Sequence, residues 1–515
     1  MKDRFPGVFL LAAVFVVATC GLVYELLAAS VSSYLLGGSV TQFSVVIGVF
    51  LTAMGIGSYL TRFLEEHLAD AFIGIQIAIG LSGGFSAAIL LLTFALLPTY
   101  LPMLIGVLTV TGSLVGMEIP ILIRILRSQE ALRLTVANVL ALDYLGALIA
   151  SVAFPVVLVP YLGLLRTSFL FGLTNVAVAA VGLRVMGGML RKRNLLAKMA
   201  GICAVLLVAG LAGSGFVTSW TESILYQDNI ILARQTPHQR IVVTKWHNDL
   251  RLYLDGHLQF SSVDEYRYHE PLVHPAMSVS PSARRALILG GGDGMTAREL
   301  LKYPQLESID LVDLDAELVR LFRERQVLAA LSDSALTNPK VRIHHHDAGK
   351  FLESSSDVWD VIIADLPDPN SLSLGRLYTT SFYRLVSQHL AAGGIFVTQA
   401  TSPFYAPEAF WCIGQTIGQA LAGPEGMERL NVYPYHAYVP SFGDWGFVMA
   451  SFRNIDTRNV LLRNDVPFRF LTQEILPSLF TFPKDTLARS SVQPNRIDDQ
   501  ILVNYYRRAW KKFSQ

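Results

Sequence analysis

The chain has 515 residues, enough for more than one domain, and only 16% of them are charged against 52% hydrophobic, whereas soluble domains carry roughly 25% charged residues. A formal net charge of +1 gives no reason to expect nucleic acid as a partner. The charge deficit is uneven: Phe5 to Thr218 is almost continuously apolar, and ordinary globular chemistry begins at Trp220. The boundary is therefore placed near residues 218–222.

A membrane crossing takes about 20 predominantly apolar residues. Seven stretches qualify: 6–29, 37–60, 72–97, 100–123, 138–162, 166–187 and 196–217. The third and fourth are parted only by Pro98–Pro102, a tight turn between antiparallel helices. The first run is read as a retained span and not as a signal peptide, because a second run follows at once with no small-residue cleavage site between them. Lys2, Arg4, Arg62, Arg124, Arg127, Arg133, Arg184, Arg191, Lys192, Arg193 and Lys198 flank alternate connections, while the others hold only Arg166. This bias predicts a multi-pass protein of the cell (inner) membrane with a cytoplasmic N-terminus. An odd number of spans then puts the rest of the chain outside. Glu25, Glu118 and Asp143 fall in or at the ends of spans and must face the bundle interior or water; they are read either as a polar pathway or as helix–helix hydrogen bonds. Gly80, Gly83, Gly84 and Ala87 allow close helix packing. Cys20, Cys203 and Cys412 are too scattered to form a disulfide framework or a metal site.

From Gln239 to Phe260 apolar and polar residues alternate, with Asp255-Gly256 as a turn, which predicts a small antiparallel β unit. From Arg285 short apolar strands alternate with helical stretches, the pattern of a mostly parallel α/β sheet. The first strand, Ala286 to Leu289, runs into Gly290-Gly291-Gly292-Asp293-Gly294 and a helix over Thr296 to Lys302. The next strand, Ser308 to Val312, ends at Asp313, where an acid can accept hydrogen bonds from ribose hydroxyls. Together these point to an adenosine-containing ligand. A third strand from Val341 leads to Asp347, placed to meet an adenine amino group. His344, His345 and His346 alternate faces along that strand, so they cannot converge on a metal ion, and none is expected. A fourth strand, Asp360 to Ala364, ends in Asp365-Leu-Pro-Asp368-Pro, two acids at the carboxyl edge of the sheet on a proline-stiffened loop. Asp264-Glu-Tyr-Arg-Tyr-His-Glu270 combines acids and tyrosines, as a pocket for a cationic amine would, or else is a solvated helix start.

In this order the segments Gly290–Gly294, Leu311-Val-Asp-Leu-Asp315, His345-His-Asp347, Asp360–Pro369 and Asp264–Glu270 resemble the spermidine synthase (polyamine aminopropyltransferase) family over roughly residues 235–455. The apolar first half resembles its membrane-anchored bacterial branch. With the composition boundary and the β alternation, this resemblance gives a transmembrane domain (1–218), a small β unit (219–280) and a Rossmann-like catalytic domain with a C-terminal helical extension (281–515). It implies decarboxylated S-adenosylmethionine as co-substrate, no cofactor, and a homo-oligomer. Gln239, His269, Gly290, Gly292, Asp293, Asp313 and Asp347 would hold this donor, Asp365 would take the proton of the attacking amine, and Tyr268 and Asp368 would bind the acceptor. The chain departs from soluble members in having Leu366-Pro367 where Ser-Ser is common, and Phe442 where a substrate-contacting tyrosine is usual. Putrescine is the default acceptor.

Two other readings stay open: an S-adenosylmethionine-dependent methyltransferase, and a membrane transporter or sensor whose soluble part binds a nucleoside or polyamine. The face of the catalytic domain is also open, because charge counting puts it outside while the implied donor is a cytosolic metabolite.

Overall fold

In the computed structural model the described residues are 5–36, 39–97, 99–126, 132–226, 228–422, 428–463, 465–487 and 492–512. Lys2, Arg4, Pro98 and Arg127, used above, lie outside them. The chain forms two compact units that divide between Ile231 and Leu232. This is later than the composition change at 218–222, because the last apolar helix runs on to Tyr226.

The first unit is a bundle of α1 (Phe5–Leu36), α2 (Ser39–Leu60), α3 (Leu68–Leu96), α4 (Tyr100–Leu126), α5 (Leu132–Ala153), α6 (Gly163–Val185) and α7 (Arg193–Tyr226). By length and composition six helices among the described residues could cross a membrane, the fifth being a continuous run of 50 residues, Val136–Val185. At 1.5 Å per residue that run is about 75 Å long, more than twice the hydrocarbon thickness. It is interrupted: a π-helical stretch, Phe154–Leu162, ends at Gly163, whose φ of +75° only glycine adopts freely.

Contacts along the helices fix their directions. On α3, Gln76 meets Glu118 and Phe94 meets Tyr100, so α3 and α4 are antiparallel. Ile73 lies at Gly182 and Gly84 at Gly172, so α3 and α6 are antiparallel too. Helices α4 and α6 therefore run the same way, and the segment between them returns across the bundle. Helix α2 lies parallel to α4 (Ala53 at Gly112, Thr61 at Arg124), and α7 lies parallel to α3 (Gly74 at Leu196, Gly84 at Leu207). Helix α1 opposes α4, with Ser32 bonded to the Tyr100 hydroxyl at 2.8 Å and Gly21 against Val115. Successive helices thus alternate in direction. One end of the bundle gathers Arg62, Arg124, Arg184, Arg191, Lys192 and Arg193; there the backbone N–H groups of Arg191 and Lys192 donate to Asp70 at 3.0 and 2.8 Å. A Cβ on Gly172 would lie 2.6 Å from the Gly80 carbonyl and 2.9 Å from the Gly84 Cα, so small residues set that crossing. Of the three acids, Glu118 is 2% exposed and accepts a hydrogen bond from Gln76, which is the helix–helix pairing option. Glu25 and Asp143 are half-buried.

A four-stranded sheet follows, β1 (Asn229–Gln235), whose first residues precede the division, β2 (Arg240–Trp246), β3 (Asp249–Leu254) and β4 (His257–Ser261), in that order, with β2–β3 and β3–β4 antiparallel. Asp255 and Gly256 both have positive φ (49° and 83°), the type I′ geometry of a two-residue hairpin. Helix α8 (Tyr266–Val279) follows. The remaining strands are β5 (Arg285–Gly290), β6 (Ser308–Val312), β7 (Val341–His344), β8 (Trp359–Asp365), β9 (Leu390–Gln399), β10 (Asn431–Val439) and β11 (Gly443–Ser451). They form one sheet in the spatial order β10-β11-β9-β8-β5-β6-β7. The five strands from β9 to β7 are parallel, and the β10–β11 hairpin adds antiparallel to β9. Helices α9 (Met295–Leu301), α10 (Ala316–Glu324), α11 (Ala348–Ser354), α12 (Thr380–Gln388), α13 (Pro407–Gln419) and α14 (Ile501–Trp510) accompany it. Leu287, Ile288, Ile309, Leu311, Ile362 and Ile363 are fully buried, as strands covered on both faces require. After β5 the chain builds outward through β6 and β7, then returns to β8 on the other side. This leaves a crevice at the carboxyl ends of β5 and β8, where open α/β sheets bind ligands.

Candidate active site

The crevice is built on the glycine turn after β5. Gly290 and Gly291 have φ of 85° and 65°, and a Cβ on Gly290 would fall on the Asp365 carbonyl oxygen. Gly291 N–H donates to that carbonyl at 3.1 Å, tying the turn to the end of β8. Gly292 N–H donates to Asp313 Oδ2 at 3.0 Å, and a Cβ there would sit 2.5 Å from the same oxygen. Two glycines thus serve close approach, one to β8 and one to Asp313.

Four acids ring the turn. Asp313 also accepts from Asp315 N–H at 2.8 Å, yet burial pushes its pKa up to about 6. Asp293 accepts from Met295 N–H at 2.9 Å; burial lifts it to about 6 although the nearby His269 opposes the rise. Asp365 accepts from the Tyr268 hydroxyl at 2.8 Å on one oxygen and from Thr296 Oγ1 at 2.6 Å on the other. Asp368 accepts from the Tyr506 hydroxyl at 2.9 Å on Oδ2, while its Oδ1 is buried without a hydrogen-bond partner; burial lifts it to about 6. Burial and the neighbouring Asp365 carboxylate both push Tyr268 far above an ordinary phenol, so it stays a neutral donor.

His269, 2% exposed, hydrogen-bonds through Nδ1 to the Glu265 carboxylate at 2.8 Å. Burial disfavours its charge, but Glu265 outweighs burial and raises the imidazole to about 9. Glu265 is itself clamped by Arg298 at 2.8 Å, and Arg298 continues to Glu299, which also holds His274 at 2.8 Å. Glu265 thus favours a cationic His269 beside the acids of the crevice.

Two expected donor residues stand further out. Asp347, after β7, caps α11 by accepting from Lys350 N–H at 3.1 Å and pairs with Arg376; burial raises it, but Arg376 outweighs this and holds it below the ordinary range. Gln239 reaches the crevice only indirectly, donating to Asp315 Oδ2 at 2.9 Å beside Thr236. Asp313 and Asp347 nevertheless follow the adjacent strands β6 and β7, and Asp365 ends β8, at the same carboxyl edge of the sheet.

The acids of Asp264–Glu270 do not form an amine pocket. Glu270, fully buried, accepts from the N–H groups of Arg469, Phe470 and Leu471 at 2.6 to 2.9 Å. Asp264 accepts from Ser441 N–H at 2.7 Å, and Glu265 is spent on His269 and Arg298. Only Tyr268 and His269 of that run reach the crevice. The histidine run is also accounted for: His344 pairs with Asp310 at 3.0 Å, and His345 and His346 are exposed.

Thr296, Arg298, Tyr378, Gln399 and Tyr506 were missed in the sequence. Tyr378 donates to the Pro367 carbonyl at 3.0 Å, and Gln399 Nε2 donates to the Leu366 carbonyl at 2.8 Å and the Tyr378 hydroxyl at 2.7 Å. These bonds hold the loop between Asp365 and Asp368 through its backbone. Thr296 and Gln399 had a positional signal, one opening the helix after the glycines and the other ending a parallel strand. Tyr506 had none.

The family described as "Spermine/spermidine synthase domain" matches residues 265–460. Polyamine aminopropyltransferase 2 of Ralstonia nicotianae is 47% identical over 508 residues, covering 97% of this chain and 98% of its own. The polyamine aminopropyltransferase of Leptospira interrogans is 45% identical over 502 residues, covering 97% and 98%. Among solved structures, a spermidine synthase in complex with the transition state analogue AdoDATO is 25% identical, with a TM-score of 0.44, covering 50% of this chain and 86% of that one.

Proposed function

Given that the chain belongs to the polyamine aminopropyltransferase (spermidine synthase) family, we propose that its crevice transfers the aminopropyl group of decarboxylated S-adenosylmethionine to a primary amine. The observation that carries the reading is the paired acids, Asp365 and Asp368, at the switch point beside Gly290. An amine lone pair attacks the carbon next to the sulfonium; the carbon–sulfur electron pair returns to sulfur, and 5′-methylthioadenosine leaves. Because the sulfonium is already a good leaving group, orientation supplies much of the acceleration. The amine must shed a proton held at a pKa of about 10. Asp365 takes that role, its carboxylate aimed by Tyr268 and Thr296. Asp313 holds the ribose hydroxyls, Asp347 the adenine edge and Asp293 the cationic aminopropyl side; His269 contributes to donor binding through its electrostatic pairing with Asp293, and Gln239 acts through Asp315. Asp368 anchors the acceptor's distal ammonium. Tyr268, bonded to Asp365, aligns the attacking amine.

A methyltransferase would also use the glycine turn and Asp313 but has no need of two acids around a stiff Leu366-Pro367 loop. Asp365→Asn tests the assignment. Turnover falls about 100- to 10,000-fold while a donor analogue still binds; a variant as active as the parent removes Asp365 from the mechanism.

The apolar unit is a multi-pass anchor in the cell membrane with seven crossings. Support comes from the alternating helix directions and the break at Gly163. The cationic end faces the cytoplasm by the positive-inside bias, so the chain leaves α7 on the outer side. The donor, a cytosolic metabolite, must then reach that side. We take the assembly to be a homo-oligomer, as the family resemblance implies.

A further inference from the structure

Helix α14 lies outside the matched stretch 265–460, yet it is anchored to the acceptor end of the crevice. Upstream of it Asn495 is fully buried; its Nδ2 donates to the carbonyls of Gly375 and Tyr378, both at 3.0 Å, and its Oδ1 accepts from Leu502 N–H at 3.3 Å. The segment is thus fastened to the residues that hold the Asp365–Asp368 loop. Within the helix, Arg507 Nε donates to the Asn370 carbonyl at 3.1 Å. Trp510 stacks on Tyr405 with ring centroids 5.4 Å apart, and Tyr506 packs against Trp510 at 5.9 Å.

Tyr506 is 9% exposed and donates to Asp368 Oδ2 at 2.9 Å, the oxygen that Thr401 Oγ1 also reaches, more weakly, at 3.5 Å. The other carboxylate oxygen, Oδ1, is buried and has no hydrogen-bond partner, although the nearby Gln399 side chain also favours the ionised carboxyl. A buried carboxylate oxygen left unpaired is costly, and an alkylammonium group, with its three N–H donors, is its natural complement. Phe442 supplies a ring near Tyr268, centroids 6.1 Å apart, but no hydroxyl.

We propose that Tyr506 determines acceptor specificity: it occupies one oxygen of Asp368 so that the other grips a single ammonium group, and with Trp510 it closes the acceptor end against amines longer than a short diamine. The proposal rests on the aminopropyl-transfer reading. It makes Tyr506 a residue of the acceptor site supplied by the C-terminal helix, with no counterpart in the stretch of chain that carries the donor site.

Full-length protein in detergent, with decarboxylated S-adenosylmethionine, is assayed with a short diamine (1,4-diaminobutane) and a triamine (spermidine). Tyr506→Phe keeps the ring and removes only the hydroxyl. It should raise the diamine KM about tenfold, with smaller changes in kcat and donor KM. It should also move the acidic limb of the acceptor kcat/KM profile to higher pH, because Asp368 loses a donor that favours its ionised form. Tyr506→Ala should raise the triamine-to-diamine ratio of kcat/KM about tenfold or more. An unchanged diamine KM and acidic limb in Tyr506→Phe overturn the proposal, even where Tyr506→Ala fails to fold. Wild-type protein that transfers to no amine overturns the underlying reading as well, so the two failures are distinguished by the parent enzyme.

Discussion

Asp365 accepts from two hydroxyls, so neither of its oxygens is free to rotate away from the reacting amine. Around it, burial sets the charge state of the donor pocket. Asp313 titrates at about 6 in the folded protein against an ordinary 3.8. A carboxyl with a raised folded pKa holds its proton more tightly folded than unfolded. Its contribution to stability is therefore complete below about pH 4 and lost as pH rises to about 6, a difference on the order of 3 kcal/mol. A ribose donating to the ionised carboxylate reverses that penalty. Added 5′-methylthioadenosine should therefore raise the melting temperature more at about pH 7.5 than at about pH 5; an equal or larger shift at the lower pH contradicts the placement of Asp313. Glu270 is an acid of a different kind, buried to receive three backbone N–H groups. Glu270→Gln replaces one acceptor oxygen by a donor and should cost roughly 2–4 kcal/mol, read as a lowered thermal midpoint. Retained stability would show that those N–H groups find other partners. The sequence displayed both kinds of acid equally. Asp313 and Asp365 were legible because each ends an apolar strand. Glu270 was misread because its partners, Arg469 to Leu471, lie 199 to 201 residues away.

At the scale of elements, the strand–glycine–helix unit was readable almost in full. A short continuous apolar run, a glycine turn and an acid one strand later are local patterns, and the observed bounds of β5 and β6 follow them. Gly290 is the most exacting position. Gly290→Ala forces a Cβ onto the Asp365 carbonyl at a φ of 85°, and it should abolish donor binding before it abolishes the helical unit. Calorimetric titration with a donor analogue measures the loss; wild-type affinity in this variant would mean that the turn does not form the nucleoside site. The C-terminal helix was not readable as a site element. Its moderately amphipathic run predicts burial but not against what, and Tyr506 meets Asp368 across 138 residues of sequence. The π-helical stretch before Gly163 carries no periodic signal, but its Pro155 and Pro160, which lack a backbone N–H, mark the helix as irregular there.

At the scale of the molecule, a membrane-type bundle and a catalytic α/β unit share one chain. The composition change separated them, whereas the seven apolar runs read from the sequence become six candidate crossings among the described residues, because Val136–Val185 holds two of the runs in one stretch. On the proposal that this unit spans a membrane, the alternating helix directions give an odd number of crossings, a parity that the hydropathy of the Val136–Val185 run does not decide by itself. Reporter enzymes fused after Gln515 should be active only when exported; a reporter active only in the cytoplasm contradicts the odd count or the charge orientation. The central claim, however, is chemical. Purified protein given decarboxylated S-adenosylmethionine and a panel of amines should release 5′-methylthioadenosine and an equal amount of aminopropylated amine, and should methylate none of them when given S-adenosylmethionine. Methylated product with S-adenosylmethionine, and no 5′-methylthioadenosine with any amine, would contradict the account.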